Sequence, residues 1–271
     1  MIDSIYLMEN EEETLRLELK TDTKVIESQA NWAGIQKGMR VADIGCGPGK
    51  TTFYLNAMVQ PGGSALGLDI SEKRIAYARK HYRHDQIDFV CEDIRRPLTN
   101  LGKFDFVWLR FILEYFRKSS FEIVKNISEI LKPGGVFCII DLDHNCMSHY
   151  GFPPKIEKTI QLIMRSLEEK ADFDPYVGRK LYSFLYDLGY EEIDVRLDPH
   201  HLIFGHANEV DLFNWLKKVE IVSNHSIYPF DEYKNGHKEF CQKFKRCFED
   251  PRRFLYTPMI CCQGKKPYIY R

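Results

Sequence analysis

At 271 residues, with 44% hydrophobic and 28% charged side chains and a formal net charge of −1, the chain has the composition of a globular protein able to bury a full core. That balance excludes a disordered or fibrous chain and gives no global push towards nucleic acid or a membrane. Charge is uneven all the same: residues 1–31 carry eight acids against three bases and residues 232–271 ten bases against four acids, a pattern read first as solvated helix faces.

No apolar run approaches the roughly 18 residues that span a bilayer, and Met1 to Lys20 is acidic and helix-like where a secretory leader is basic and then apolar. A cytoplasmic protein with no membrane partner is therefore expected. Of the eight cysteines, Cys46 falls in a turn, Cys91 and Cys138 in strands, and Cys261 and Cys262 are adjacent. With no CxxC pair, reduced thiols and no structural metal are expected.

In chain order, Leu15 and Leu19 stand at i, i+4 among charges and Val25 to Trp32 repeats the pattern, so residues 1–35 read as an N-terminal helical lid. Met39 to Ile44 is a first strand, and a helix follows from Lys50 to about Met58. Ala65 to Ile70 is a second strand, with Ser71 capping a helix to about Tyr82. Ile87 to Cys91 and Phe104 to Leu109 are the third and fourth strands. A helix from about Ser119 to Leu131 stops at Lys132-Pro133-Gly134-Gly135, and Val136 to Leu142 is the fifth strand. Short apolar strands alternating with helices predict an α/β, doubly wound, mostly parallel sheet over residues 36–142.

Beyond Leu142 the rhythm changes. Pro153-Pro154 opens an amphipathic helix with Ile156, Ile160, Ile163, Met164 and Leu167 along one side, and Gly178 to Leu188 is another helix. Ile193 to Leu197 and Leu202 to Phe204 look like strands, Val210 to Val222 and Phe240 to Phe248 like helices, and Tyr256 to Gln263 like a last strand. Residues 143–271 thus read as the rest of the sheet with helical insertions, about 143–175 and 205–255, forming a cap.

The informative stretch is Val41-Ala42-Asp43-Ile44-Gly45-Cys46-Gly47-Pro48-Gly49-Lys50-Thr51, a strand running into a glycine turn and a helix. A dinucleotide fingerprint needs glycine where Lys50 stands, and a P-loop needs its first glycine where Ile44 stands. Asp43 would repel a pyrophosphate but suits a ligand with ammonium and sulfonium charges, such as S-adenosylmethionine. Asp69, at the end of the second strand, can accept from both ribose hydroxyls, and Asp93, after the third, can meet the adenine amino group.

These residues resemble the class I S-adenosylmethionine-dependent methyltransferases. The resemblance covers residues 36 to 142 through the turn just quoted, Gly67-Leu68-Asp69-Ile70-Ser71, Glu92-Asp93-Ile94, Phe104-Asp105-Phe106-Val107 and Leu131-Lys132-Pro133-Gly134-Gly135, in that order. It implies a Rossmann-like, seven-stranded sheet, closed by an antiparallel strand near Met259 to Gly264. It also implies S-adenosyl-L-methionine as cofactor, with Gly45, Cys46 and Gly47 on the methionine part, Asp69 and Ile70 on ribose and adenine, Asp93 and Ile94 on adenine, and Arg110 at the methionine end.

Methyl transfer is an in-line displacement helped mainly by positioning, and a base is needed only for an acceptor not already ionised. Candidates follow the fourth and fifth strands: Glu114 and Tyr115 from one, Asp143 and His144 from the other, with His144 the chosen base. Each has a plainer reading, Glu114 and Tyr115 as a helix start and Asp143 to Asn145 as a turn bonding its own backbone. Arg16 or Lys20 either closes over the cofactor carboxylate from the lid or belongs to an exposed helix. Trp32, Phe111, Tyr150, Phe152, Tyr176, Tyr182 and Trp215 could line an apolar acceptor pocket or simply fill core. The expected partner is a small-molecule acceptor under the cap. The alternatives are a protein or RNA docked on Lys243, Lys245, Arg246, Arg252 and Arg253, or a non-catalytic nucleoside-binding module.

Overall fold

A computed structural model describes residues 22–225 and 228–268. The expected Arg16, Lys20 and most of the lid lie outside the described residues, and the described part opens with α1 (Thr23–Trp32), capped by the Asp22 carboxylate accepting from the Lys24 amide.

The core alternates β1 (Arg40–Ile44), α2 (Lys50–Val59), β2 (Ser64–Asp69), α3 (Glu72–Tyr82), β3 (Ile87–Cys91), β4 (Phe104–Arg110), α4 (Ser120–Ser128) and β5 (Leu131–Leu142). It continues with β6 (His149–Tyr150), α5 (Pro154–Lys170), α6 (Leu181–Asp187), β7 (Glu191–Phe204), α7 (Glu209–His225), α8 (Gly236–Cys247) and β8 (Phe254–Lys265). The sheet order is β3-β2-β1-β4-β5-β8, with β7 along one edge of β8 and the two-residue β6 along the other. The first five strands pair in parallel and β8 runs antiparallel to β5. The sheet has the expected parallel core and closing strand, with β6 as an eighth strand.

The near-continuous apolar runs arise because both faces are covered. Val41, Phe106, Trp108, Cys138 and Ile140 turn to the face that carries α1 and α2. Their neighbours Ala42, Val107, Leu109, Phe137 and Ile139 turn to the opposite face, where α4 and α6 pack. Beyond the carboxyl ends of the strands, α5, α7 and α8 share a separate core of Ile156, Ile163, Leu167, Trp215, Phe240 and Phe244.

Three expectations change. Leu131 to Gly135 is not a break but the start of β5: the pairing jumps from Phe104↔Leu131 to Phe106↔Val136, and the bulge is held by Gly134 N–H on Lys266 O at 2.8 Å. The two strands expected around residue 200 are one, with a register shift at Pro199/His201 where an edge strand tolerates a residue lacking an N–H. The helix expected from Gly178 begins as a 3₁₀ turn, Val177–Lys180, before α6.

Candidate active site

The glycine turn joins β1 to α2 with Gly45, Gly47 and Gly49 all left-handed, at φ 73°, 55° and 97°. Gly45 and Cys46 amides both donate to Leu68 O, at 2.7 and 2.9 Å, which ties the turn to the neighbouring strand. A Cβ on Gly45 would stand 2.2 Å from Ile112 Cδ1, so that position is closed to any side chain unless Ile112 moves. Behind the turn Asp43 is 2% exposed and accepts from Thr52 Oγ1 at 2.6 Å. Burial pushes the Asp43 carboxyl up to about 7, against the Thr52 hydrogen bond and the charge of Arg110.

Asp69, at the end of β2, accepts from Gly47 N at 3.0 Å and Ser71 N at 2.9 Å and lies 3.4 Å from Arg74. Each of its oxygens keeps a lone pair for a ligand hydroxyl. Ile70, half exposed, and Ile94, buried, flank the same cavity. Asp93 is gripped by Arg95 at 2.8 Å, and these hydrogen bonds outweigh burial to hold its carboxyl below the ordinary range. Asn126 Nδ2 donates to Ile94 O and Arg96 O, fixing that loop from α4.

Arg110, at the end of β4, is a buried cation in the wall with an unmade hydrogen bond. Its guanidinium lies 4.3 Å over the Phe111 ring and 4.0 Å from Met259 Sδ, while its Nε is buried with no hydrogen-bond partner. Burial brings it down to about 10, so it remains charged at neutral pH. A buried cation with an unmade hydrogen bond suits a carboxylate ligand.

One cavity runs from these residues past Glu114, Tyr115, Asn145 and Cys146 to Met164 and Leu167 of α5 and Lys218 and Val222 of α7. Glu114 is buried and accepts from Asn145 Nδ2 at 2.7 Å. Asn145 Oδ1 in turn accepts from Lys218 Nζ at 3.0 Å. Behind Glu114, Asp141 accepts from the Leu113 and Leu142 amides, and burial, then the charge of Glu114, holds its carboxyl well above the ordinary range.

The structure thus gathers Asp43, Gly45, Cys46, Gly47, Asp69, Ile70, Asp93, Ile94, Arg110, Glu114 and Tyr115 around one cavity. Asp143 and His144 are not among its lining residues. Asp143 pairs with Arg179 at 2.8 Å, and His144 bonds Ser148 Oγ at 2.7 Å from a left-handed backbone at φ 53°. The chain turns between them and Asn145, so only the third member of that loop points inward. Of the aromatics, Phe111 lines the cavity and Trp215 an adjoining one, whereas Tyr150 and Tyr182 are exposed. Lys218 was not anticipated. Its signal is a lysine three residues after Trp215 and four before Val222, on an otherwise apolar helix face. Among the described residues no group of three metal-ligating side chains is found, and no helix is long and apolar enough to cross a membrane.

Residues 41–135 match a family model described as a methyltransferase domain. A ubiquinone biosynthesis O-methyltransferase of Coxiella burnetii is 27% identical over 139 residues, 51% of this chain and 58% of that protein, so the chain spans little more than half the length of such relatives. A Synechocystis protein described as an uncharacterized methyltransferase is 31% identical over 162 residues, 55% of this chain and 73% of that one. In fold, the chain is similar to Haemonchus contortus phosphoethanolamine N-methyltransferase 2, solved with phosphomonomethylethanolamine and S-adenosylhomocysteine. That likeness has a TM-score of 0.59 at 14% identity and covers 98% of this chain and 61% of that one.

Proposed function

The chain belongs to the class I S-adenosylmethionine-dependent methyltransferases, and from that premise we propose that it methylates a small molecule held between the glycine turn and helices α5 and α7. The observation that carries this reading is the single cavity whose wall runs from Gly45 and Asp69 to Met164 and Lys218. When bound, S-adenosylmethionine supplies an electrophilic methyl group on a sulfonium sulfur.

The residues fit that group. Arg110, with its unmade Nε bond, would take the amino-acid carboxylate. Asp43, once ionised, would face the cationic end. Asp69 would accept from the ribose hydroxyls, and Ile70 and Ile94 would flank the adenine. The acceptor half is walled mainly by apolar side chains of α5 and α7, which exclude water from the transfer. Within it Glu114 is the side chain best placed to accept a proton, and Tyr115 stands beside it; His144 and Asp143, outside the lining, have no such position. The name of the Coxiella relative, an O-methyltransferase of ubiquinone biosynthesis, supports a small acceptor with a hydroxyl.

The macromolecular reading keeps only part of its docking surface: Lys245 and Arg246 are exposed, but the other three basic residues are buried or paired. Arg253 is 2% exposed, Lys243 pairs with Glu239 at 2.7 Å, and Arg252 pairs with Asp250 at 2.7 Å. Incubation with methyl-labelled cofactor and a metabolite extract, followed by mass spectrometry, tests the choice. Label in a low-molecular-weight product supports the proposal, and label confined to protein or RNA contradicts it.

A further inference from the structure

A second, smaller chamber lies behind the main cavity and shares Cys146, Met164, Lys218 and Val222 with it as a common wall. Beyond that wall it is lined by Ile160, Ile163, Trp215 and Phe244, and Lys218 is the one charged side chain among its described lining residues. An ammonium at the joint between a cofactor cavity and an apolar chamber is costly to bury unless it is held, and on the chamber side it meets the Trp215 ring at 5.6 Å.

The ammonium is nevertheless held. Lys218 Nζ donates one hydrogen bond, at 3.0 Å, to Asn145 Oδ1, and Asn145, 0% exposed, is locked by its own donation to Glu114 at 2.7 Å. Cys146 Sγ lies 3.3 Å from the same Oδ1, so the amide cannot turn without losing three contacts. One of three ammonium protons is committed to Asn145, which leaves two directions for a ligand. The partners of Lys218 Nζ among the described residues are Asn145 Oδ1 and the Trp215 ring.

Building on the methyltransferase reading, we propose that Lys218 is the acceptor-binding residue and that the acceptor is an apolar molecule bearing an oxygen anion, a phenolate, enolate or carboxylate. Its apolar body lies in the main cavity against Met164, Leu167 and Val222, and its oxyanion accepts from Lys218. Asn145 is a positioning residue that aims the ammonium. The acceptor hydroxyl or carboxyl gives its proton to solvent on ionising; the oxygen then forms the new bond to the methyl carbon while the carbon–sulfur electrons stay on sulfur, leaving a neutral thioether. Lys218 stabilises the oxyanion, so an acceptor that arrives ionised needs no proton taken by Glu114.

The test uses the full chain saturated with S-adenosylhomocysteine and three probes of one shape: 4-nitrophenol, 4-nitrobenzoate and the neutral 4-nitroanisole. At least one anion should bind, with nitrophenol, if it is the one, showing its coloured anion at a pH where it is neutral in water. Lys218→Met should weaken that anion about tenfold or more, leave nitroanisole and S-adenosylhomocysteine within about twofold, and Lys218→Arg should restore most of the loss. Nitrophenol alone binding assigns a hydroxyl acceptor, and nitrobenzoate alone a carboxylate. The proposal is overturned if neither anion binds, if Lys218→Met leaves anion affinity unchanged, or if it weakens nitroanisole equally. Failure of S-adenosylhomocysteine itself to bind would instead strike the methyltransferase reading.

Discussion

The Gly47 amide donates to Asp69 Oδ2 at 3.0 Å, so the turn after β1 and the acid ending β2 form one unit before any ligand arrives. The residue read as a ribose acceptor is therefore also a strut for the glycine turn. Its removal loosens both halves of the cofactor site.

Arg110→Met separates function from stability. A buried guanidinium with an unmade Nε bond costs folding free energy, and a methionine of similar length does not incur that cost. The unliganded variant should melt no lower than the parent, while its affinity for S-adenosylhomocysteine falls about 10- to 100-fold through loss of charge-assisted hydrogen bonds. Thermal melts without ligand and calorimetry with it check the pair; a lower melting point with unchanged affinity would assign Arg110 a purely structural role.

Asp43 sets a pH dependence. Its folded carboxyl lies at about 7 against an ordinary 3.8 when unfolded. Between about pH 4 and 7 the folded state keeps a proton that the unfolded state has lost, so this group's contribution to stability is full below the window and is lost as pH rises through it. Denaturant unfolding across that range should show a larger fall in stability for the parent than for Asp43→Asn. Equal slopes would place the Asp43 carboxyl near its ordinary value.

Two glycines separate backbone strain from crowding. Gly34 and Gly49 are both left-handed, at φ 86° and 97°, but a Cβ on Gly34 meets nothing within 4 Å, whereas on Gly49 it meets Ala78 Cβ at 2.8 Å and Phe89 at 2.9 Å. Gly34→Ala should cost about 1 kcal/mol of backbone strain, and Gly49→Ala a further 1–3 kcal/mol or so from overpacking. Urea unfolding of both measures the difference.

Salt dependence addresses docking on the basic stretch. With Arg253 buried and Lys243 and Arg252 paired, association with single-stranded RNA should be weak and should change little as salt is raised. A steep fall in RNA binding between about 50 and 200 mM salt, measured by fluorescence anisotropy, would restore that reading.

The cofactor half of the site was readable because its chemistry sits at fixed distances along one strand-turn-helix unit: Asp43 to Gly45 and on to Asp69 are local in the sequence or one strand away. The acceptor half was not, since Glu114, Asn145 and Lys218 meet across more than a hundred residues and only the packing of α7 over the sheet joins them. His144 failed to enter the cavity for a local reason. A left-handed residue turns its side chain away from that of the next, and sequence spacing alone cannot say which of His144 and Asn145 points inward. The proline and glycines of Leu131 to Gly135 read as a break because their partner in the bulge, Lys266, lies at the far end of the chain.

The central claim rests on the cofactor, and titration of S-adenosylhomocysteine into the protein by calorimetry tests it most directly. The account predicts single-site binding that Asp69→Ala weakens at least about tenfold. No detectable binding, or binding that Asp69→Ala leaves unchanged, would contradict it.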